Sequence, residues 1–502
     1  MRGFATLLIT GCFIYSCQMP AKEEKGKVLA DKYCSGCHLP VAPDMLDKET
    51  WTRHVLPAMA PKLGIRVWNG DQYYPPQPGE KASLISIEDW TTLTAYYEKM
   101  APEKLAPAKV PAPLQRDWSI FSMKRPEGVD TNALATTTMV SFDPEQPVIY
   151  TGDAGSNALA RWDSTLHRNA WWRMLSPVVH MAYYRDSAGQ QQGLLTQIGN
   201  MRALDAPAGV ISRLNLGEPG SKLKDLAAFL KRPVQTVTAD FNRDGLNDMA
   251  VCAFGHNQGG LYWLKQLPGH QYQQLTISEV PGAIHAETGD FNHDGWTDLM
   301  VLFAAADEGI WLFENDKKGG FTSSCLLRFP PLYGSTGFQL VDLNGDGKED
   351  ILYTCGDNAD FSMIIKPYHG LYVYLNEGGH KYRQAWFYPV NGCTKAVAAD
   401  FNRDGKTDIV SIAFFADMKT NPAEKFIYFE GRGQLDFVPH APPIEKEGHW
   451  ICMDVKDYDH DGDVDIILGN YGRGFNILDD YKPDWKEYQP FIVLQNNVVI
   501  KR

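Results

Sequence analysis

Two cysteines and a histidine stand close together near the start of the chain, in the order Cys34-Ser35-Gly36-Cys37-His38. A Cys-x-x-Cys-His run is typical of covalent haem attachment, in which each thiol adds to a haem vinyl group and the histidine binds iron. The same thiols could instead form a redox dithiol or half of a zinc site. Those alternatives need a βαβ context or a second Cys/His pair downstream, and the sequence shows neither. The motif therefore predicts one covalently attached haem c, held by Cys34, Cys37 and His38.

A further ligand to the haem iron is expected between this motif and the last helix of the region. The segment Leu56-Pro57-Ala58-Met59-Ala60-Pro61 places a thioether there, between prolines that stiffen the chain. Met59 is the predicted ligand. His54 is the alternative, and a bis-histidine site would have the lower reduction potential.

Helical spacing surrounds the motif. Residues 23–33 form a predicted helix that leads directly into it, and a second helix is expected over 49–59. Ser86 followed by Asp89 predicts a capping box at the start of a third helix.

A first helix that runs into Cys-x-x-Cys-His, with a last helix carrying Leu93 and Tyr97, resembles the class I cytochrome c family. The resemblance implies a small all-α haem domain, for which we predict the bounds 18–100. The alanine- and proline-rich stretch that follows predicts a semi-rigid linker over 101–116.

A nine-residue pattern of acidic and amide side chains recurs five times in the second half of the chain. Oxygen-bearing side chains occupy its positions 1, 3, 5 and 9, and a glycine at position 6 allows a tight turn. Alternating oxygen ligands suit Ca²⁺, with a backbone carbonyl at position 7 added to the set. The predicted calcium ligands are Asp240, Asn242, Asp244 and Asp248; Asp290, Asn292, Asp294 and Asp298; Asp342, Asn344, Asp346 and Asp350; Asp400, Asn402, Asp404 and Asp408; and Asp457, Asp459, Asp461 and Asp465.

Two alternatives to this prediction differ in what they require. An EF-hand needs a glutamate at position 12, and the five loops carry valine, tyrosine, serine or leucine there, so EF-hands are excluded. The carboxylates could instead cap turns without any metal. Recurrence of all four oxygen-bearing positions in five loops favours up to five calcium ions.

The loops recur at intervals of 50 to 58 residues, the size of a propeller blade. An apolar run follows each loop, and a second strand-like run follows that, the last of them at 475–478. Two earlier copies, beginning near Val140 and Val178, have the same succession of strand-like runs but lack the acidic loop. Five repeats and two degenerate copies predict seven blades of four strands.

These loops and runs resemble the FG-GAP/VCBS repeat family, whose repeats form β-propeller blades around calcium loops. The expected fold class is therefore multidomain: a small all-α cytochrome c domain followed by an all-β seven-bladed β-propeller over 117–502.

The N-terminus has the features of a lipoprotein export signal over 1–17. Arg2 supplies a positive charge, the apolar run after it is too short to span a bilayer, and Ile14-Tyr15-Ser16-Cys17 resembles a relaxed lipobox. Ile9-Thr10-Gly11-Cys12 resembles a lipobox too but lies inside the apolar run, and a plain cleaved signal without lipid is the other alternative. The expected location is the periplasm, the outer membrane or the cell surface, with a lipid anchor at Cys17.

The net charge limits the classes of binding partner. The formal net charge of −13 argues against binding to nucleic acid or to anionic lipid surfaces.

Five cysteines remain after the signal and the haem motif, and they are widely spaced. We expect them mainly as buried small hydrophobes with at most one disulfide among them: Cys252, Cys325, Cys355, Cys393 and Cys452.

Three functions fit these parts. The first is one-electron transfer by the haem, with the propeller as a docking platform for a redox partner protein. The second is a propeller-based sugar or alcohol dehydrogenase that passes electrons to the haem, and the third is a glycan- or protein-binding module. No clustered acid/base set supports the second, so no catalytic residue is predicted. Histidines that could line the loop face of the propeller are His180, His256, His285, His380 and His449.

Overall fold

The computed structural model describes residues 21–217, 220–269, 271–359, 363–473 and 482–498. The chain forms two compact units. One contains Met1–Gly36 and Ala42–Lys104, and the other contains Cys37–Val41 and Leu105–Arg502. None of the helices in the described ranges combines the length and apolar content that a bilayer span requires. The predicted export signal and its Cys17 lie outside the described residues.

The first unit is mainly helical. Its two long helices are α1 (Ala21–Cys34) and α4 (Ile87–Met100), and the Ser86 hydroxyl caps α4 by accepting the Asp89 N–H at 3.1 Å, as the sequence predicts. The shorter elements are a 3₁₀ turn at Pro43–Met45, α2 (Lys48–Thr50), a π turn at Trp51–Val55, α3 (Leu56–Met59), a 3₁₀ turn at Ala60–Leu63, and the hairpin of β1 (Arg66–Trp68) and β2 (Gln72–Tyr74).

The two long helices pack closely where α1 carries a glycine. A Cβ added to Gly26 would lie 2.3 Å from the Tyr96 Cβ, so any larger residue there would push α4 away. On the same helix α4, the ring of Tyr97 lies 4.4 Å from that of Trp51, and the Trp90 ring is only 1 % exposed. Aromatic burial therefore holds the helices of this unit around α4.

The second unit is a seven-bladed β-propeller, and each blade is a four-stranded antiparallel sheet. The prediction of seven blades with four strands is confirmed. The strands of blades 1 to 3 are β4 (Thr137–Phe142), β5 (Ile149–Asp153), β6 (Ala158–Trp162) and β7 (Arg168–Arg173); β8 (Val178–Arg185), β9 (Gln191–Gln197), β10 (Gly209–Asn215) and β11 (Lys224–Leu230); and β12 (Pro233–Ala239), β13 (Asp248–Ala253), β14 (Gly260–Leu267) and β15 (Gln271–Ser278).

The remaining blades follow in the same order along the chain. The strands of blades 4 to 6 are β16 (Ala283–Gly289), β17 (Asp298–Phe303), β18 (Gly309–Asn315) and β19 (Phe321–Arg328); β20 (Ser335–Val341), β21 (Asp350–Cys355), β22 (Gly370–Asn376) and β23 (Tyr382–Pro389); and β24 (Cys393–Ala399), β25 (Asp408–Ala413), β26 (Phe426–Gly433) and β27 (Asp436–His440). Blade 6 also has a 3₁₀ turn at Pro422–Lys425.

Blade 7 joins the two ends of the propeller sequence. It consists of β28 (Trp450–Lys456), β29 (Asp465–Asn470), β30 (Phe491–Asn496) and, as its outermost strand, β3 (Phe121–Lys124) from before blade 1. The register pairs Phe121 with Asn496. The strand expected at 475–478 lies outside the described residues, and the third strand of this blade is β30. The pairing of β3 with β30 joins the two ends of the propeller sequence in one sheet and so closes the ring.

The second strand of each acidic-loop repeat is fully buried, as its apolar composition predicts. All six residues of β25 are buried, and the same holds for β13, β17, β21 and β29. Side chains from neighbouring blades meet there, as when Phe426 and Tyr428 of blade 6 pack with Met453 and Leu468 of blade 7. The core thus consists of layers between adjacent blades.

The cysteines of the propeller are free thiols, and no disulfide is found among the described residues. Cys252, Cys355 and Cys393 are buried, in agreement with the prediction, and Cys452 is partly buried. Cys325 is exposed, so the prediction that it is buried is wrong. It lies on β19, the outermost strand of blade 4, where one face of the sheet is open to solvent.

Acid should destabilise the propeller through a buried histidine. The His449 Nε2 lies 2.6 Å from the Phe414 carbonyl and so carries the proton, and burial lowers the pKa of His449 to about 3. The unfolded chain gains the proton near pH 6.5, so this residue's stabilisation is complete above pH 6.5 and is lost toward pH 3. Its contribution should fall by about 1.4 kcal/mol per pH unit in that window.

Replacing His449 with glutamine keeps an N–H donor for Phe414 and removes the titration. Chemical unfolding of the His449→Gln variant between pH 7 and pH 4 should show a shallower loss of stability than the parent protein. The same substitution at exposed His256 is the control and should leave the slope unchanged. Equal slopes in all three proteins would contradict the assignment.

Candidate metal centres

The cysteines of the Cys-x-x-Cys-His motif lie at a helix end. Cys34 is the last residue of α1 and is partly exposed, and Cys37 is exposed at the end of the turn that follows. Both side chains are thiols. Thioether formation requires reduced, accessible sulfurs, and these two residues meet that requirement.

The side chain of His38 has a defined proton arrangement. Its Nδ1 lies 2.8 Å from the backbone carbonyl of Leu39, and a carbonyl oxygen can only accept, so Nδ1 carries the hydrogen. The lone pair is therefore on Nε2. A histidine that donates one ring N–H to a carbonyl and offers the other nitrogen is the usual arrangement of a metal-binding imidazole. His38 thus fits an axial haem ligand.

Met59 lies at the end of a broken helix. The predicted helix over 49–59 is instead α2, a π turn and α3, because Pro57 has no N–H to continue the ladder and the Leu56 N–H bonds the Trp51 carbonyl five residues back. Met59 is the last residue of α3 and is partly buried. His54, the alternative ligand, is exposed within the π turn.

The five acidic loops all occupy the same place in their blades. Each connects the first strand to the second, so that position 1 follows the first strand and position 9 begins the second. Position 4 has a positive φ in every loop, from 58° at Arg403 to 77° at Gly345, and position 6 is always a glycine with φ between 80° and 91°. The chain therefore turns twice through the left-handed region, which curls the loop around its own side-chain oxygens.

Hydrogen bonds within the loops follow one scheme. In blade 6 the two oxygens of Asp400 accept the N–H groups of Asp404 at 3.1 Å and Gly405 at 2.9 Å. The Asn402 side chain also accepts the Asp404 N–H, at 2.9 Å. The loops of blades 3, 4 and 5 repeat these bonds. Each carboxylate oxygen has more than one lone pair, so these bonds leave room for a cation.

The aspartate at position 9 connects each loop to the third strand of its blade. Asp408 is fully buried and accepts the Gly431 N–H at 2.7 Å, the Tyr428 hydroxyl at 2.9 Å and the Phe401 N–H at 3.1 Å. Burial raises the pKa of Asp408 to about 6. The sequence shows the acidic residue but not Tyr428, which lies 20 residues later and has no signal in the repeat pattern.

The loop of blade 7 differs because its carboxylates converge. Ligand oxygens of Asp457, Asp459 and Asp461 all lie within 4.8 Å of one another. Asp457 Oδ1 and Asp465 Oδ2 are buried and have no hydrogen-bond partner. Burial, and then the charges of Asp459 and Asp463, raise the pKa of Asp465 to about 7.

Converging carboxylates with unpartnered buried oxygens are unfavourable without a cation, because both desolvation and like charges oppose ionisation. An oxygen-only donor set of this kind fits Ca²⁺. Asp463, which the sequence assigns only a backbone carbonyl, brings a further carboxylate that is only 4 % exposed. The loop of blade 7 is therefore the strongest candidate among the five.

A protein-family model described as FG-GAP-like repeat matches residues 240–301 and 301–353. The chain therefore contains FG-GAP repeats, and they lie in blades 3 to 5 of the propeller. No curated protein matches the chain.

Several solved structures are similar at low identity. An ancestral GH74 enzyme has a TM-score of 0.45 at 10 % identity and covers 72 % of this chain and 48 % of its own, so the chain spans about half the length of that enzyme. A chain from S. cerevisiae dbp5 bound to nup159 and gle1 has a TM-score of 0.43 at 11 % identity, covering 77 % and 98 %. The Neurospora crassa Pan2 WD40 domain has a TM-score of 0.45 at 8 % identity, covering 76 % and 97 %.

Proposed function

We propose that this chain is an exported c-type cytochrome that transfers single electrons, and that its β-propeller is a docking platform for a redox partner protein. The observation that carries the proposal is the Cys-x-x-Cys-His motif at the end of α1, with two thiols and with His38 in the tautomer of a metal ligand. Cys34 and Cys37 would hold a haem c by two thioether bonds, and His38 and Met59 would bind its iron. Bound haem supplies a reversible one-electron couple.

The packing of the first unit supports this assignment. Residues 18–100 are proposed as the haem domain, since the helix that ends at Cys34 packs through Gly26 against α4. The buried Trp90 Nε1–H has no partner among the described residues, and an unsatisfied donor of this kind suits a group with oxygen acceptors, such as a haem carboxylate. Residues 101–116 are proposed as the linker to the propeller.

Calcium in the acidic loops is proposed to be structural. Each loop lies between two strands and its position-9 aspartate bonds a third, so an ion there would fix three strands of a blade. A rigid blade gives a partner a surface that loses little entropy on docking. Up to five ions are proposed, with blade 7 as the best site.

Export and anchoring belong to the same proposal. Attachment of haem c is completed outside the bacterial inner membrane, and a signal over 1–17 with acylation at Cys17 would place the protein in the periplasm, at the outer membrane or on the cell surface. Membrane association would then rest on the lipid alone. A redox partner in that compartment is the expected contact, and nucleic acid is not.

Electron transfer and substrate oxidation are distinguished by one experiment on the full-length, haem-loaded protein. Poised fully oxidised, it is mixed with a reduced small cytochrome and, separately, with a panel of sugars and alcohols, and haem reduction is followed optically. Rapid reduction by the cytochrome and none by the panel supports the proposal. Rapid reduction by a sugar or alcohol would favour the dehydrogenase. No haem signal after maturation would overturn both.

Replacement of Met59 by histidine tests the sixth ligand. A second imidazole stabilises ferric iron more than a thioether does, so the reduction potential of Met59→His should fall by on the order of 0.1 V or more. Potentiometric titration measures the shift, and the visible spectrum reports the change in ligation. Met100→His, at an exposed position after α4, is the control and should not change the potential. An unchanged potential in Met59→His together with a raised one in His54→Ala would assign the ligand to His54, and a lowered one in Met100→His would assign it to Met100.

A further inference from the structure

The innermost strands of the seven blades share one irregularity. The first strand of each blade lies nearest the axis, because the first strands of neighbouring blades contact one another all the way around the ring. In every first strand the pairing with the second strand shifts after the first residue, so that one residue is left out of the register. A bulge of this kind re-aims the next side chain and is frequent beside binding sites.

The residue after the bulge stands at the same level on all seven strands. We call these seven residues the axial ring. Five of them bear a polar atom in the side chain, one is a methionine and one is a glycine. In blade order the axial ring is Met139, His180, Gln235, His285, Gly337, Lys395 and Cys452.

The polar members of the axial ring mostly present hydrogen-bond donors. Lys395 uses one of its three N–H bonds on the Met453 carbonyl at 2.9 Å and has two left. The Gln235 oxygen accepts the Ala286 N–H at 2.6 Å, so this residue offers the axis its NH₂ group.

The electrostatics of the ring agree with its donor character. Burial, followed by the positive charges of Lys395 and His285, lowers the pKa of His180 to about 3. Burial raises the pKa of the Cys452 thiol to about 12, so it remains a protonated weak donor. Lys395 is exposed despite its place on an innermost strand, and the Nε2 of His285 is bonded to the Glu287 carboxylate at 2.9 Å.

Gly337 leaves a gap in the ring that the fold does not require. A Cβ built there would meet only the Thr354 Oγ1 at 3.5 Å, an ordinary contact, and the backbone is not in the left-handed region. Glycine weakens a strand, so its presence beside Lys395 needs another reason. A strand glycine often marks a bulge or the close approach of a ligand or another backbone, and the other six first strands form the same bulge without a glycine.

From the bulges, the donors and the gap we propose that the axial ring binds a small carboxylate, with Lys395 as its counter-ion and Gly337 making room for it. The next inward-facing level limits the length of the ligand. Glu287 and Asp454 lie two residues further along their strands and would repel a second carboxylate, and the Glu287 Oε1 already accepts a hydrogen bond from the His285 Nε2 at 2.9 Å. Monocarboxylates with hydroxyl groups are therefore preferred. This site concerns the propeller blades alone and stands whether or not the Cys-x-x-Cys-His motif carries haem.

Calorimetric titration of the full-length protein tests the proposal, with gluconate as probe, glucitol as its uncharged counterpart and succinate as a dicarboxylate. Gluconate should bind at least tenfold more tightly than either. Lys395→Gln should weaken gluconate binding at least tenfold, and Gly337→Leu should abolish it by filling the gap. Lys381→Gln, at an exposed turn of blade 5, is the matched control and should bind as the parent does.

Circular dichroism and melting curves show that each variant is folded, which separates loss of the site from loss of the propeller. Glu287→Gln should improve succinate binding and leave gluconate binding within about twofold. Equal binding of gluconate and glucitol, equal loss in Lys395→Gln and Lys381→Gln, or full binding by folded Gly337→Leu would each overturn the assignment.

Discussion

Replacing Cys34 and Cys37 together with alanine should abolish covalent haem attachment in a host that matures c-type cytochromes. The parent protein should retain its haem after denaturing electrophoresis and give a c-type pyridine haemochrome spectrum, and the double variant should give neither. The physical reason is that the thioether bonds are the only covalent links, and both thiols lie reduced and accessible at the end of α1 and the turn after it.

A matched control separates the motif from cysteine chemistry in general. Cys325 is a free and exposed thiol, but no histidine follows it in the spacing of the motif. Cys325→Ala should therefore keep its full haem content. His38→Ala should keep a thioether-linked haem with altered ligation or lose it during maturation, and its absorption spectrum should differ from the parent in either case. Haem in the double variant, or none in the parent, would contradict the assignment.

The propeller could be predicted from the sequence because the backbone turns and the buried strands of each blade require the residue types that recur. Each acidic loop must turn twice through the left-handed region, and only a few residue types do so cheaply, which explains the recurrent glycine at position 6. The buried second strand must be apolar on both faces, so the run after each loop is a strong signal. Together these features give blade count and strand order for five of the seven repeats.

Three features of the molecule had no such signal. Strand β3 closes blade 7 from a position more than 360 residues before β30, and nothing in Phe121–Lys124 marks it as the partner. The π turn before α3 results from Pro57, whose position predicts a disturbed helix but not which carbonyl is bonded. The axial ring has seven different residues at one level, and only the register between strands places them together.

The position-9 aspartates show why the sequence could identify the acidic loops but not their full role. Their acidity and spacing predict metal ligands, and their burial and bonds to the third strand appear only in the fold. A side chain that braces a blade and faces a cation serves both purposes. Removing the charge of a neighbouring carboxylate should therefore stabilise the blade when no cation is bound and destabilise it when calcium is bound.

Calcium binding to the loop of blade 7 should reverse the direction in which one substitution changes the melting temperature. Asp457→Asn removes one of three converging carboxylates while keeping the size and an acceptor oxygen. In a chelator the variant should melt at a higher temperature than the parent, because like-charge repulsion within 4.8 Å is relieved. In saturating calcium it should melt at a lower temperature, because an ion at a hundred times its Kd stabilises the folded state by about 2.7 kcal/mol and the variant binds it less tightly.

The control for this reversal is a carboxylate that caps a turn and is not a residue of any of the five acidic loops. Asp316, in the turn between β18 and β19, accepts the Lys318 N–H at 2.7 Å and the Gly320 N–H at 2.9 Å, the same chemistry as a metal-free loop. Asp316→Asn should shift the melting temperature equally with calcium and with chelator. If Asp457→Asn also shifts it equally, the loop of blade 7 is a capped turn without metal. If the haem spectrum changes when calcium is removed from the parent, the ions do more than hold the blades, since a purely structural role in the propeller leaves the iron ligands unaffected.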